Sequence, residues 1–399
     1  MEITKQDSLY YHEKPNPGKI AIKINKNLEN KKDLLLAYTP GVAYPVNEIF
    51  KNESKVYDYT NKGNLVGVIT NGSSVLGLGN VGALASKPVM EGKVALFKKL
   101  ANVDAFDIEI NSNSSQSFID TVCNISPTFG GINLEDIKSP ECFFIEEEIK
   151  KRVNIPVFHD DQHGTAVVLS AALLNALEIQ KKNIENVKIL CMGAGAAAIA
   201  SMNLLIKIGL KRSNIYMFDS KGLITNKRLD LNKYKKKFMR SPENLSKILG
   251  KTDVFVGLSK GNILSKEMLL LMPPKPIIFA LANPTPEIDP YIAEKIRDDI
   301  IIATGRSDYY NQINNLICFP YIFKGLLKIK AKKITDKILI SLVHGIRNIA
   351  KKRIENKSDP NNHDVVFGKN YILPKPMDPR LIEEIPLIVS NTSLSENVV

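Results

Sequence analysis

The sequence predicts an α/β protein whose second half forms a doubly wound, parallel, Rossmann-like sheet. Three observations support this fold class. Short apolar runs alternate with helical stretches along most of the chain, which is typical of parallel strands joined by crossover helices. One apolar run leads into a glycine-rich turn and a helix at Gly193, and another leads into two adjacent carboxylates and a helix at Asp160. Both arrangements place ligand-binding groups at the carboxyl edge of a sheet.

Length and charge limit what kind of protein this is. A chain of 399 residues with 44% hydrophobic and 24% charged residues predicts a globular protein with two domains, which we place at residues 1–153 and 154–399. The net charge is +12, but the basic residues are spread along the chain, and the run Lys235-Lys236-Lys237 is better explained by a solvated face than by nucleic-acid binding. We therefore expect a small-molecule substrate and no nucleic-acid partner.

Cysteine usage and hydrophobicity indicate where the protein works. The four cysteines form no C-x-x-C pair, which argues against a zinc site or a disulfide framework. The N-terminal stretch lacks the apolar core of a signal peptide, and no apolar run reaches the ~20 residues that cross a bilayer. We expect a cytoplasmic protein with no membrane partner.

The first half contains three predicted strands or strand-like runs separated by helices. Polar residues up to about 30 predict an arm, and Tyr38 falls in a Thr-Pro-Gly turn, because proline disfavours helix at the residue before it. The helix at 89–100 carries Lys93. The other elements are a strand at 65–70, the small-residue segment NGSSVLGLGNVGALAS, a strand at 105–110, a helix at 117–123, a strand and loop at 128–137 and a charged helix at 146–152.

Two pairs of carboxylates lie at predicted strand ends. Asp160 and Asp161 follow the apolar run Ile155-Pro156-Val157-Phe158 and precede a buried helix. Adjacent carboxylates repel each other unless a positive charge lies close. One interpretation is that one carboxylate caps the helix and the other faces water. The alternative is a hard-cation site, which gains support from a second pair upstream, Glu135-Asp136.

The glycine-rich turn has the setting of a dinucleotide-binding fingerprint. The apolar strand at 187–192 is followed at once by G-x-G-x-x-A, then by a helix, a second strand and an acid. Gly193 allows the tight turn, Gly195 lets the backbone approach a pyrophosphate, and the helix N-terminus attracts phosphates. The residues expected to contact a dinucleotide are Gly193, Ala194, Gly195, Ala196, Ala197 and Asp219.

The remaining strand–helix units continue the parallel sheet. Asn283 and Asn314 follow predicted strands in polar loops, where turn formation is the usual reason for an asparagine. The other predicted elements are strands at 253–258, 277–281 and 300–304, a helix near 266–271, helices from about Tyr321 to Asn356, and an extended tail that ends in a helix.

Several collinear blocks resemble the malic enzyme family in its bacterial form. The blocks are AYTPGVA (37–43), NGSSVLGLGNVGALASKPVMEGKVALFKK (71–99), INLEDI (132–137), PVFHDDQHGTA (156–166), GAGAAA (193–198), NPTPEI (283–288) and ATGRSDYYNQINNLICFPYIF (303–323). The resemblance covers roughly residues 15 to 390 and implies a malic-type N-terminal α/β domain before the Rossmann-like domain. It is similar to the short form that lacks the C-terminal phosphotransacetylase-like domain of large bacterial members.

The resemblance implies site residues where the family's motifs match. Tyr38 corresponds to the family's general acid on the enol, and Lys93 corresponds to its general base. Glu135, Asp136 and Asp161 correspond to the metal ligands.

Supporting positions follow from the same resemblance. Asp160 corresponds to a carboxylate in the second shell of the metal, and Asn283 and Asn314 correspond to contacts with the substrate and the nicotinamide. Ser73 and Ser74 lie where animal members have an arginine that binds the substrate carboxylate. We therefore expect Ser73 to contact the substrate and the carboxylate clamp to differ from theirs.

The implied activity is divalent-metal-dependent oxidative decarboxylation of malate to pyruvate and CO2, with reduction of NAD(P). The chemistry makes three demands. Lys93 must be neutral to take the proton of the C2 hydroxyl, a cation must hold the developing enolate charge, and Tyr38 must return a proton at C3. Carboxylates combined with water and substrate oxygens suit Mg2+ or Mn2+.

The expected cofactor is NADP, although the residues alone leave NAD open. An acid at Asp219 usually binds the ribose 2′-hydroxyl of NAD. However, Lys221, Arg228 and Lys233 follow closely and could pair with a 2′-phosphate. The resemblance to the bacterial short forms favours NADP.

Two other functions stay open on the sequence alone. One is a non-decarboxylating or tartrate-type hydroxy-acid dehydrogenase, which would form NAD(P)H without releasing CO2. The other is a catalytically silent dinucleotide-binding regulatory module, against which the presence of both Tyr38 and Lys93 argues. The family usually forms dimers or higher assemblies, so the resemblance implies a homodimer or a larger homo-oligomer.

Overall fold

The structure, a computed structural model, describes residues 3–75, 77–112, 114–352 and 366–398. The α/β fold class is confirmed, because a four-stranded and a six-stranded sheet are both flanked by helices. Within the described ranges, no helix has both the length and the apolar character to cross a membrane.

The N-terminal arm, which we define as residues 3–52, consists of helices with almost no buried surface. The helices are α1 (Lys5–Glu13), α2 (Lys31–Ala37) and α3 (Ala43–Lys51). None of their residues, all of which are described, is buried. The side chains of Ile22 and Phe50 are 85% and 89% exposed. The predicted polar arm therefore contains a helix and carries an unpaired apolar surface.

A four-stranded parallel sheet follows the arm, after a short helix α4 (Val56–Tyr59). Its strands are β1 (Leu65–Thr70), β2 (Asp104–Glu109), β3 (Gly131–Leu134) and β4 (Val157–His159), in the order β2-β1-β3-β4. The helices between them are α5 (Gly82–Ala101), α6 (Ser115–Ile125) and α7 (Glu141–Arg152). Strand β1 is buried at every residue, which explains why its sequence is an apolar run. The parallel pairing aligns the carboxyl ends of all four strands along one edge.

The second sheet has six strands in the order β10-β9-β8-β5-β6-β7. The strands are β5 (Ile189–Met192), β6 (Ile215–Asp219), β7 (Gly222–Leu223), β8 (Val254–Gly257), β9 (Ile277–Ala280) and β10 (Ile301–Thr304). Only β7 is antiparallel to its neighbour among these strands. The chain leaves β5 towards β6 and later crosses back to β8. This reversal creates a topological switch point at the carboxyl end of β5, where α/β proteins bind ligands.

Helices cover the second sheet and join it to the first. They are α8 (Asp160–Gln180), α9 (Ala196–Ile208), α10 (Lys233–Lys236), α11 (Leu245–Leu249), α12 (Lys266–Leu271) and α13 (Pro290–Ile296). Most residues of α8 are buried, because it packs against α9 and lies deep in a core shared by the two sheets.

Three C-terminal helices pack back on this core. They are α14 (Phe319–Lys328), α15 (Asp336–Lys351) and α16 (Arg380–Ser395). The helices predicted from Tyr321 to Asn356 correspond to α14 and α15, and Asn356 lies outside the described residues. Asn175, buried on α8, donates to the carbonyl oxygens of Ile372 at 2.8 Å and Arg347 at 3.2 Å. These bonds tie α8 to α15 and to the tail.

The two sheets divide six residues later than the sequence predicts. The predicted boundary between residues 153 and 154 assigns β4 to the second domain, but β4 pairs with β3 and completes the first sheet. The sheets separate where β4 ends at His159 and α8 begins at Asp160. The apolar run before the acids is a buried strand in either assignment, so its sequence pattern does not reveal which sheet it joins.

Candidate functional site

Four carboxylates meet where two neighbouring strands end. Strand β3 leads into Glu135 and Asp136, and strand β4 leads into Asp160 and Asp161, which open α8. The last residues of the two strands are partners in the parallel register, so the two acidic pairs begin side by side. The backbone N–H of Asp136 donates to Asp161 Oδ2 at 2.8 Å, which joins the pairs directly.

The ammonium group of Lys93 lies inside this acidic cluster. Lys93 is on α5 and is 8% exposed. Its Nζ donates to Glu135 Oε1 at 2.9 Å and to Asp160 Oδ2, and it lies 3.7 Å from the centre of the Phe319 ring. Burial alone would lower the pKa of Lys93, but Asp160 and Glu135 raise it above its ordinary value. These partners therefore favour the charged form of Lys93, whereas the expected chemistry needs the neutral form.

The cluster carries more negative than positive charge. Two of its carboxylate oxygens, Asp136 Oδ2 and Asp160 Oδ1, are buried and have no hydrogen-bond partner among the described residues. Burial raises the pKa of Asp160 to about 7 against the opposing effect of Lys93. Burial and the neighbouring Asp161 raise the pKa of Asp136. Because a buried carboxylate without a partner is costly, this site calls for a further positive charge.

A hard divalent cation fits that requirement by its chemistry. Carboxylate oxygens are the ligands that Mg2+ and Mn2+ prefer, and Glu135, Asp136 and Asp161 all belong to the cluster. Across the described ranges, no three or more histidine, cysteine, aspartate or glutamate side chains are already arranged to hold a metal ion. Glu135 is bound to Lys93 instead, and Asp161 is bound to a backbone N–H. The three ligands therefore stay a prediction, supported by the donor chemistry and the unpartnered oxygens.

Asp160 holds the Lys93 amine in place through a hydrogen bond. Its Oδ2 accepts from Lys93 and from the side-chain amide of Asn315. A Cβ on Gly164 would lie 1.9 Å from Asp160 Oδ1, so a glycine one turn later leaves room for the carboxylate. Asn314, the asparagine singled out from the sequence, accepts the Leu316 N–H at 2.9 Å and caps a short turn instead.

A buried carboxylate on α7, Glu146, fixes the start of α8. Its two oxygens lie 2.8 and 2.9 Å from His163 Nε2, and it accepts the His159 N–H at 3.2 Å. Burial alone would raise the pKa of Glu146, but His163 and Lys150 hold it below its usual range. These contacts orient the segment in which both acids of α8 lie.

The loop after β1 packs against the loop that carries Asp136. The Ser74 N–H donates to the Asp136 carbonyl at 2.9 Å, and the Lys138 N–H donates to Ser73 Oγ at 2.9 Å. The Ser73 hydroxyl in turn donates to Asn71 Oδ1 at 2.6 Å. Ser73, the predicted substrate contact, therefore lies beside the acidic cluster with its hydroxyl already engaged.

A cavity of about 510 Å³ opens at the carboxyl end of β5, at the switch point. Gly193 has a φ of 130°, and a Cβ there would lie 2.5 Å from the Leu258 carbonyl oxygen, so the turn requires glycine. Gly195 caps α9, and Ala196 and Ala197 open that helix. A Cβ on Gly195 would meet nothing within 4 Å, so space is open before the helix N-terminus. The cavity walls also include Ala194, Asp219, Asn232, Lys235, Ser259 and Lys260.

Two cationic side chains donate hydrogen bonds to Asp219 on the wall of this cavity. The Arg228 guanidinium donates to both Asp219 oxygens at 2.7 and 3.0 Å, and Lys235 Nζ donates at 2.8 Å. Although burial opposes it, these hydrogen bonds lower the pKa of Asp219 to about 2. Lys221 and Lys233, the other cations predicted for this end, pair with carboxylates of other residues at 3.0 and 3.4 Å.

Asn283 lies in an exposed loop between the two sheets. Its Nδ2 lies 3.1 Å from the position of a Cβ on Gly305, in the loop after β10. Its carbonyl oxygen lies 3.7 Å from the position of a Cβ on Gly77, in the glycine-rich loop of the first domain. Asn283 therefore stands where the dinucleotide-binding half meets the half that carries Lys93.

Tyr38 forms no hydrogen bond with Lys93 in the described part of the chain. It caps the C-terminal end of α2, and its side chain is 70% exposed. Among the described residues, its hydroxyl has no hydrogen-bond partner, and the partners of Lys93 are those given above. The acid–base pairing of these two residues stays a prediction.

The sequence patterns did not single out Asn315, Lys235 or Glu146. Asn315 is the second asparagine of a pair, and spacing alone does not decide which one faces the acids. Lys235 belongs to the lysine run 235–237, for which the sequence favours a solvated face. That interpretation is wrong for Lys235, because its ammonium contacts Asp219. Glu146 and Lys150 have the i,i+4 spacing of an ordinary surface pair. His159 and His163 flank the acidic pair in the sequence, and both contact Glu146. They were the one sequence signal that pointed to a carboxylate partner at this position.

Two family models match the chain. The malic enzyme N-terminal domain matches residues 17–117, and the malic enzyme NAD binding domain matches residues 162–360. The first match contains Tyr38 and Lys93, and the second contains the glycine-rich turn and Asn283.

Relatives match along the whole chain. An NADP-dependent malic enzyme from Halomonas elongata is 47% identical over 100% of this chain and 95% of its own length. Another, from Escherichia coli (strain K12), is 49% identical over 99% of this chain, but the chain spans only 53% of that protein. The crystal structure of malic enzyme from Pyrococcus horikoshii Ot3 has a TM-score of 0.90 at 39% identity, covering 99% of this chain and 92% of that one.

In EDTA-treated protein, we expect thermal stability to fall as the pH rises from about 5 to about 8. The pKa of Asp160 is about 7 in the folded chain, against an ordinary value near ~4, so the folded state keeps a proton that the unfolded state has lost. Melting temperatures across this range measure the effect. Saturating Mn2+ should abolish the fall, and Asp160→Asn should reduce it, because burial also raises the pKa of Glu135 to about 7 and that of Asp161 to about 6. A melting temperature of EDTA-treated wild-type protein that rises with pH over this range would contradict the charge imbalance.

Proposed function

The chain belongs to the malic enzyme family, and on that premise we propose that it oxidatively decarboxylates malate to pyruvate and CO2 with reduction of NADP, in a reaction that requires a divalent metal. The observation that carries the proposal is the amine of Lys93, buried among four carboxylates at a sheet edge. The site thereby combines a proton acceptor and cation ligands beside a dinucleotide fold. Because the chain spans about half of the E. coli relative, the proposal concerns the activity of this chain alone.

Lys93 is the proposed base for the C2 hydroxyl of malate. Its position on α5 directs the amine into the acidic cluster rather than into water. To accept a proton the amine must be neutral, and Glu135 and Asp160 oppose this by raising its pKa. A positive charge bound to the same carboxylates would lower the pKa of Lys93 by repulsion. The acids and the base are therefore parts of one electrostatic unit.

Glu135, Asp136 and Asp161 are the proposed ligands of Mg2+ or Mn2+. Asp160 is proposed to position Lys93 beside the cation by accepting its hydrogen bond. The bound cation supplies Lewis-acid stabilisation of the negative charge that develops at the C2 oxygen. The support for this set is its carboxylate chemistry and the unpartnered Asp136 Oδ2.

Ser73, Asn283 and Asn314 are the proposed contacts of the substrate, and Asn283 is also the proposed contact of the nicotinamide. Ser73 lies beside the Asp136 loop, and Asn283 reaches from the second sheet towards the first. Asn314 uses its side-chain oxygen to cap a turn, and its amide nitrogen can donate to a ligand in this arrangement. We propose that the first sheet with its acids forms the substrate and metal domain and that the second binds the dinucleotide.

NADP is the proposed cofactor because Asp219 is already neutralised. An aspartate that binds the ribose hydroxyls of NAD needs free oxygens, and both oxygens of Asp219 accept from Arg228. Lys235 also binds Asp219 and lines the cavity, so its ammonium is placed to attract a 2′-phosphate. Arg228 and Lys235 thus convert an acidic wall into a cationic one.

A homodimer is proposed to complete the site. The N-terminal arm exposes apolar side chains of α2 and α3, including Leu34, Leu36 and Val46, and a second copy would bury them. Tyr38 lies on the same exposed arm and, among the described residues, forms no hydrogen bond with its own Lys93. We propose that the arm docks on the partner and supplies Tyr38 as the acid that protonates C3 of the enol. The cytoplasm is the proposed location, in keeping with four free cysteines.

The reaction itself is tested by product stoichiometry. Purified protein with malate, NADP and Mn2+ should release CO2 and form NADPH in equal amounts, measured by trapped CO2 and absorbance. NADPH without CO2 would instead support a non-decarboxylating or tartrate-type hydroxy-acid dehydrogenase. If neither NAD nor NADP is reduced with Mg2+ or Mn2+, the chain is a silent dinucleotide-binding module and the proposal fails.

Replacing Lys235 should separate the two dinucleotides. Lys235→Ala is expected to raise KM for NADP about tenfold or more, because a charge-assisted hydrogen bond to a phosphate is worth roughly 1.5–3 kcal/mol, while KM for NAD should change less than about twofold. Initial rates with both dinucleotides measure this. Lys237→Ala, an exposed lysine two residues later, is the matched control and should leave both values near wild type. Equal effects of Lys235→Ala on NADP and NAD would be evidence against a phosphate contact.

Mixing two inactive variants tests the shared site. Lys93→Ala should lose about 10²–10⁴-fold in turnover, and Tyr38→Phe should block protonation of the enol. If Tyr38 acts on the partner's Lys93, heterodimers formed by unfolding and refolding the two variants together should regain activity, because one of their two sites is intact. Each variant refolded alone is the control. Mixtures that stay as inactive as the parents would show that the arm does not act across the dimer.

A further inference from the structure

Glu287 is a buried carboxylate that the reaction described above does not use. It follows the segment Asn283-Pro-Thr-Pro286 and is 0% exposed. Its oxygens accept backbone N–H groups from two different loops, with Ser259 donating at 3.2 Å and Ala282 at 3.0 Å. No basic side chain in the described part of the chain forms an ion pair with it. Burying a carboxylate in this way is costly, so its presence calls for an explanation.

The carboxylate lies at the centre of a set of hydrogen bonds that join the loops following β8 and β9. The Asn262 N–H donates to the Pro286 carbonyl at 2.9 Å, and the Leu264 N–H donates to the Glu287 carbonyl at 2.9 Å. Gly257 ends β8, and a Cβ there would lie 2.2 Å from Glu287 Cδ. The two loops are therefore joined along their length, with the carboxylate packed tightly between them.

Each of the tied loops carries a group of the dinucleotide site. Leu258, Ser259 and Lys260, directly after β8, line the 510 Å³ cavity. Asn283, the proposed contact of nicotinamide and substrate, follows Ala282 directly. A displacement of Glu287 would therefore move a wall of the cavity and Asn283 together.

We propose that Glu287 is a positioning residue for the dinucleotide: its carboxylate fixes the spacing of the β8 and β9 loops, and thereby the width of the cavity and the placement of Asn283. The inference rests on the proposed function only in requiring that the cavity binds NADP(H). Glu287 acts through the N–H groups of Ser259 and Ala282.

A carboxylate suits this task better than a neutral side chain. N–H groups bond more strongly to a charged acceptor, and the two oxygens serve one loop each. Glutamine has nearly the same size, but its NH2 group would face an N–H donor in place of one acceptor oxygen. One of the two loops must then move or leave its N–H unsatisfied.

Equilibrium binding of NADPH to the full-length Glu287→Gln variant, followed by dinucleotide fluorescence, tests the proposal without malate. We expect Kd to rise at least about tenfold, with KM for NADP rising in parallel. The matched control is Asp299→Asn. Asp299 also ties two loops, by accepting the Lys275 N–H at 2.7 Å, but it lies before β10, at the amino edge of the same sheet. The control should lower the melting temperature and leave Kd within about twofold of wild type.

A Kd within about twofold of wild type in folded Glu287→Gln protein would overturn the proposal, and a lower melting temperature alone would then assign Glu287 a purely structural role. Gly257→Ala gives a second, independent variant, since it keeps the carboxylate but forces it from its place. It should raise Kd similarly, and it carries the test if Glu287→Gln does not fold. If wild-type protein binds NADPH but fails to oxidise malate, the proposed reaction falls while this comparison of Kd values stands.

Discussion

The ion cluster around Lys93 is the interaction on which the proposed chemistry of the site depends. Its members come from α5, from the end of β3 and from the start of α8, and its base packs on Phe319 of α14. Buried charges contribute little net stability, because the loss of hydration offsets the attraction between them. A cluster with an excess of buried carboxylates is therefore better explained by function than by folding.

Parallel pairing explains why the acids converge. Strands β3 and β4 are neighbours in register, so side chains that follow them must meet at one edge. Helix α8 then carries this edge into the second half, where it packs against α9, whose N-terminus opens on the dinucleotide cavity. One helix thus begins in the acidic cluster and supports the dinucleotide fold. This geometry places the acidic edge of the first sheet next to the edge of the second sheet that carries the glycine-rich turn, with Asn283 between them.

Local patterns predicted the strands, the glycine turn and the gathering of the acids, because each depends on short-range chemistry or on parallel strand ends. Contacts between distant residues were not predictable in the same way. The contact of Asn315, rather than Asn314, with Asp160 depends on the rotation of one turn. The pairing of Lys235 with Asp219 depends on the path of the chain over the sixteen positions that separate them. Which sheet β4 joins depends on the strand beside it, β3, rather than on the residues of β4 itself. Tyr38 lies on an arm whose described helices have no buried residues, so its local sequence does not show which group its side chain meets.

Titration with Mn2+, followed by the electron paramagnetic resonance signal of the free ion, tests the central claim most directly. If the acidic cluster is a divalent-cation site, each chain should bind one Mn2+, and Asp161→Asn should weaken binding by about tenfold or more while the chain stays folded. Mn2+ binding that is absent from the folded wild-type protein, or that is unchanged in Asp161→Asn, would contradict the account.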